Sequence, residues 1–139
     1  MCGYCGHEFG AGYPDSICIK GYLWDADSDD GEGGLTHGGE WPCPACNTAE
    51  MLTEALESAQ DGSCGENMWR PWCSATRWEA ACESALKANR EEATKFLLAV
   101  APFEISDWPD REAVYAGRAR WDVTVDRPWT PEMALASLP

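Results

Sequence analysis

Cys2-Gly3-Tyr4-Cys5 and Cys43-Pro44-Ala45-Cys46 are two C-x-x-C pairs with 37 residues between them, and their reading decides the fold of the first third of the chain. Each pair turns two sulfurs toward one point. A chain that brings the pairs together therefore builds a tetrahedral thiolate site with Zn–S distances of about 2.3 Å. We expect one structural Zn2+ held by Cys2, Cys5, Cys43 and Cys46, with His7 and His37, close to the two pairs in sequence, as alternative ligands. Four thiolates leave no open coordination position, so such a metal supports a surface and does not react. A redox-active dithiol at Cys2 and Cys5, or disulfides in an exported chain, are the competing readings. Cys18, Cys64, Cys73 and Cys82 have no C-x-x-C partner and read as buried thiols, a second metal on Cys64, Cys73 and Cys82 being the minor alternative.

Between the pairs the pattern is that of a β-hairpin with a long tip. Residues 17–24 are rich in β-branched and aromatic side chains and form the strand candidate. Residues 25–39 are almost all Asp, Gly, Ser and Glu, a composition that cannot bury itself and predicts a solvated, mobile loop. The two knuckle-like pairs, with Gly6 after the first and Pro44 inside the second, resemble the zinc-ribbon family. The resemblance departs from pattern at Asn47, where a glycine usually follows the last cysteine. It implies a fold element and a metal, and no activity. Asp25, Asp27, Asp29 and Asp30 also resemble the start of a calcium loop, but Asp30 and Thr36 stand where the pattern requires glycine and glutamate, which leaves calcium as a minor alternative.

Beyond Cys46 the period changes to that of helices. Asn47 and Glu50 form a capping-box-like start to a helix over residues 48–60, on which Met51, Leu52, Ala55, Leu56 and Ala59 share a face. Thr76 and Glu79 offer a second start, and Trp78, Cys82, Ala85, Asn89, Ala93, Phe96 and Val100 then step by threes and fours until Pro102, with a bend expected at Asn89. In the tail, Ser106-Asp107-Trp108-Pro109 reads as a helix start, Ala119, Trp121, Val123 and Val125 alternate as in a strand, and Thr130-Pro131-Glu132 caps a short last helix. The expected fold class is α+β: a zinc-ribbon-like module with an acidic loop over 1–47, and a helical region over 48–139, closed by a strand-and-helix element, packed on it.

The formal charge is -14, and it is uneven: residues 1–66 hold thirteen acids against the lone Lys20, whereas residues 67–139 hold eleven acids and nine bases. Such a field repels phosphate backbones and anionic membranes and attracts basic protein surfaces. No apolar run is long enough to span a bilayer and no basic-then-apolar leader opens the sequence, so a cytoplasmic protein is expected. The H-E-x-x-H, G-x-S-x-G and phosphate-loop motifs are absent, and we expect no enzyme. The expected activity is binding to a basic protein surface through Asp25, Asp27, Asp29, Asp30 and Glu32, with Trp69 and Trp72 as loop contacts. In physical character, though in no motif, the chain is similar to small acidic phage inhibitors of the anti-restriction and anti-CRISPR kind, which compete for nucleic-acid-binding grooves. A zinc-ribbon accessory subunit of a transcription or modification complex, and a zinc-dependent enzyme, are the alternatives.

Overall fold

Lys20 and Gly21 both have positive φ, at 54° and 89°, the backbone that closes a two-residue hairpin with the native twist. They split the stretch over residues 17–24, expected as one strand, into β2 (Ser16–Ile19) and β3 (Tyr22–Asp25), paired Ile19 to Tyr22 and Cys18 to Leu23. The run of β-branched and aromatic residues was a correct sign of β structure but hid a turn in its middle. In the computed structural model, which describes residues 2–9, 12–32, 34–61, 65–66, 71–108 and 124–136, and only the backbone of 65–66 and 71–72, two further strands complete an antiparallel sheet. These are β1 (Cys5–Gly6) and β4 (Gly38–Pro42), in the order β1-β2-β3-β4. The register slips between Leu23 and Trp24 as β3 pairs with β4. Gly38, with φ 120°, lies against that bulge, where an added Cβ would come within 2.7 Å of the Trp24 Cα.

α1 (Thr48–Asp61) follows the second cysteine pair directly, its apolar face burying Leu52 and Ala59 as the period predicts. A short backbone pairing of β5 (Gly65–Glu66) with β6 (Pro71–Trp72) precedes α2 (Ser74–Ala88). The long helix expected from residue 76 to Pro102 is two helices, and the bend at Asn89 is a complete break before α3 (Arg90–Leu98). Asn89 leaves helical geometry, with φ -154° and ψ 83°. Its N–H still donates to Ala85 O, while its side-chain oxygen accepts the Glu92 N–H at 3.3 Å and so starts the next helix.

The expected helix start at residues 106–109 is instead the end of β7 (Phe103–Asp107), paired antiparallel with β8 (Val125–Trp129). Pro109 and the strand expected from Ala119 to Val123 lie outside the described residues, and Val125 begins β8. The last helix forms as predicted, as α4 (Pro131–Ala136). The whole is α+β. No helix among the described residues is long and apolar enough to cross a membrane.

Two cores result. The larger joins the four described helices to the β7–β8 pair and is built on Trp78, Leu52, Leu97, Ile105 and Trp129. Trp78 meets Trp129 edge-on at 5.3 Å, and Phe103 tilts against Trp129 at 5.4 Å, geometries that suit the ring quadrupoles. Arg127 crosses the edge of this core: its Nε donates to Asp107 at 2.6 Å and its Nη2 pairs with Glu79 of α2. Burial alone would lower the guanidinium pKa, but the two carboxylates outweigh it and raise it. The smaller lies at the sheet, a hydrophobic cluster of buried Cys18, Leu23 and Cys43 edged by Tyr4, Phe9 and Ala45.

The two parts are tied at the second cysteine pair. Asn89 Nδ2 donates to Ala45 O at 2.8 Å, and Thr48 Oγ1 donates to Pro44 O at 2.7 Å. Asn89→Ala removes both the α3 cap and this tie, and we expect it to lower stability by about 1.5–3 kcal/mol in denaturant unfolding. A change under about 0.5 kcal/mol would show that the tie carries no energy.

Candidate metal centre

Cys2, Cys18, Cys43 and Cys46 each bring a sulfur to one place, all four within 4.8 Å of one another. Cys2 and Cys43 sulfurs are 3.7 Å apart, and those of Cys18 and Cys46 3.5 Å. Sulfurs at the corners of a tetrahedron around zinc stand about 3.8 Å apart, given Zn–S bonds of about 2.3 Å. The four cysteines thus match in number, chemistry and spacing what one tetrahedral thiophilic metal ion needs.

Each sulfur is delivered by backbone already described. The β2–β3 turn carries Cys18 inward beside Leu23, and the carbonyl of Gly21 in that turn accepts the Cys43 N–H at 2.8 Å. Cys43 O accepts the Asn47 N–H at 2.9 Å, which closes the knuckle and leads the chain into α1. Within the knuckle the Ala45 N–H donates to the Cys43 sulfur at 3.4 Å. Asn47, which replaces the glycine of the zinc-ribbon pattern, takes up a tie of its own: its Nδ2 donates to Gly21 O at 3.1 Å and to Glu50 Oε2 at 2.8 Å. The capping-box pair is therefore used to hold the hairpin turn against α1.

Cys5 is the expected ligand that the structure does not place in the group. It lies in β1 opposite Ile17. Directly opposed residues of an antiparallel pair share a face, and neighbours along a strand take opposite ones, so Cys5 faces with Ile17 and away from Cys18. It is exposed, as is His7. His37 is exposed too, its ring set edge-on to Phe9 at 5.7 Å, and neither histidine joins the sulfurs. Cys18, read from the sequence as a buried thiol, stands in their place. The signal that would have found it is the Lys20-Gly21 turn: closing the hairpin there sets Cys18 across from Leu23, on the inner face.

Of the other cysteines, Cys64 lies outside the described residues. Cys73 and Cys82 are buried, the Cys73 sulfur contacting Thr76 Oγ1 at 3.0 Å and Asp107 at 3.7 Å. Burial and then Glu79 push the Cys82 thiol up to about 12. Among the described residues no second cluster of metal-binding side chains occurs.

Among the gathered thiols, Cys2, Cys43 and Cys46 do not titrate alike. Burial first, and then neighbouring sulfurs, push Cys43 up to about 11 and Cys46 up to about 12. For Cys2 burial also raises the pKa, but donors from the Tyr4 backbone and the other three thiols outweigh it and bring it down to about 7. Without a cation Cys43 and Cys46 therefore keep their protons at neutral pH, because burial, reinforced by the neighbouring sulfurs, disfavours their thiolates. A divalent metal reverses the balance by deprotonating its ligands.

Of the expected partner-binding acids, Asp25 ends β3 and the other four sit on the loop between β3 and β4. Asp27, Asp29, Asp30 and Glu32 are exposed and Asp25 is half-buried. The loop is solvated, as its composition requires, but it is built from defined turns. Asp25, Asp29 and Asp30 carboxylates accept the N–H of Asp27, Gly31 and Glu32 at 2.9, 2.8 and 2.7 Å. Ser28 Oγ accepts the N–H of Thr36 at 3.2 Å and of His37 at 3.1 Å. These carboxylates do not converge on a point among the described residues, so the calcium-loop pattern has no counterpart here. The Trp69 and Trp72 side chains lie outside the described residues.

No protein-family model, no curated protein and no solved structure matches the chain.

We expect metal titration of the reduced chain to give about one zinc per molecule, and Cys18→Ser to weaken metal binding at least tenfold while Cys5→Ser leaves it unchanged. Equal losses in the two variants would place Cys5 among the ligands. Because Cys43 and Cys46 hold protons to high pH, binding is expected to release protons and affinity to fall as pH falls; a pH-independent affinity between pH 6 and about 8 would contradict a thiolate site.

Proposed function

We propose that this protein is a non-enzymatic, zinc-stabilised binder of a basic protein surface, of the kind formed by the nucleic-acid groove of a DNA- or RNA-handling complex, and that it inhibits by occupying that groove. The observation that carries this reading is the acidic loop itself. Asp25, Asp27, Asp29, Asp30 and Glu32 stand on one hairpin tip whose base is the cysteine cluster. Hydrogen bonds from the backbone hold Asp30 below its ordinary carboxylate pKa, so it stays charged. A turn-ordered row of carboxylates imitates successive phosphates better than a structureless loop does, because less side-chain and backbone freedom is lost on docking.

The metal's part is support. A sheet whose hydrophobic cluster has three buried residues lacks the core to hold such a loop. Zinc sites in peptides contribute about 10–16 kcal/mol, comparable to the stability of a whole domain. Four sulfurs in one cluster leave no coordination position for substrate, which favours a scaffold over a catalyst.

The test uses immobilised wild-type protein and the variant D25N/D27N/D29N/D30N, each presented with the heparin-binding fraction of a cell lysate. The wild type is expected to capture a nucleic-acid-binding protein that moderate salt or added duplex DNA releases, and the variant to capture it at least tenfold less. Equal capture by both, or capture that DNA does not reverse, rules the reading out.

A further inference from the structure

A cavity of about 400 Å3 opens between the sheet, the second cysteine pair, α1 and α2. Its apolar walls include Leu23 and Trp41 from the sheet, Met51 and Ala55 from α1, and Trp78 from α2. Trp78 is 1% exposed and belongs to the larger core, whereas Trp41 is 49% exposed and is held by stacking on Phe9 at 5.2 Å. Glu8, Glu54 and Asp61 also line the cavity, with Arg77 the one cation among the described lining residues. A tryptophan left half in water beside an acidic apolar cleft is a common feature of binding sites.

These walls select a chemistry. Carboxylates favour a cation, the apolar lining favours an aliphatic stem, and a fixed indole favours a flat cation that stacks on its face. An arginine side chain meets all three requirements, and anions meet none. At about 400 Å3 the space lies near the lower end of the range for pockets that enclose a small ligand, enough for one long side chain with an apolar neighbour. We infer that the cleft between Trp41, Met51, Glu54 and Trp78 is the anchor site for an arginine side chain, flanked by an apolar residue, of the protein partner. This rests on the reading of the chain as a binder of a basic protein surface and adds to it a specific pocket, separate from the acidic loop.

The experiment follows the indole N–H signals of the full-length, zinc-loaded chain during titration with acetyl-Leu-Arg-Leu-amide, with acetyl-Leu-Glu-Leu-amide as control and spermidine as a free polyamine. The expected result is a saturable shift at Trp41 with the arginine peptide alone, weakened at least tenfold by Ala55→Trp, which fills the cleft, and by Glu54→Arg, which reverses its charge without touching the core. The loop variant D25N/D27N/D29N/D30N is expected to bind the peptide as the wild type does, so failure of the loop and failure of the cleft are read separately. Absence of a shift, an equal shift with the glutamate peptide, tighter binding of spermidine than of the peptide, or unchanged binding in Glu54→Arg would each overturn the inference.

Discussion

Four sulfurs drawn within 4.8 Å are the constraint on which the amino-terminal third of the structure depends. A hydrophobic cluster of three buried residues hardly counts as a core for a four-stranded sheet that also supports a long charged loop. The cysteines compensate because they come from four separate places: the start of the chain, the β2 strand, and both ends of the knuckle before α1. Fixing them to one ion would close every loop between them, and the chain entropy removed would be that of the whole module. The backbone has already been arranged for this, since the Gly21 carbonyl and the Asn47 side chain hold the hairpin turn to the knuckle.

The same knuckle is where the two parts of the molecule meet. Its carbonyls at Pro44 and Ala45 accept from Thr48 of α1 and from Asn89 at the break between α2 and α3. An asparagine in mid-helix is ordinarily unfavourable because its side chain competes for backbone groups. Here that competition is put to use: the side chain starts α3 and ties it to the cysteine module. The helical part keeps its own packing through Trp78, Phe103 and Trp129, so its stability is less dependent on the metal.

Charge and burial are separated in space except at Asp15 and Asp107, which are buried. Five of the thirteen acids of residues 1–66 stand on or at the edge of a loop with few apolar residues, where they cost the core nothing, and the arginine inside the carboxy-terminal part is neutralised by Asp107 and Glu79. The cleft beside Trp41 lies between these regions, with carboxylates at its edge and the large core behind it.

Local chemistry in the sequence determined a good deal. Two C-x-x-C pairs implied a thiolate cluster, apolar residues at helical spacing placed α1 and the face of α2 and α3, Thr130-Pro131-Glu132 started the last helix, and loop composition placed the acids in water. These follow from spacing and residue type alone. Tertiary structure decided what depends on pairing across distance. Cys18 enters the cluster and Cys5 stays out because strand register sets which face each sulfur takes, and register is fixed only when Lys20 and Gly21 close the hairpin. Residues 106 and 107 read locally as a helix start, yet they lie in β7 because β8, some twenty residues further on, offers partners for their backbone. The break at Asn89 was visible as a bend but not as a joint, since the carbonyl of Ala45 that it holds belongs to a segment forty-four residues away.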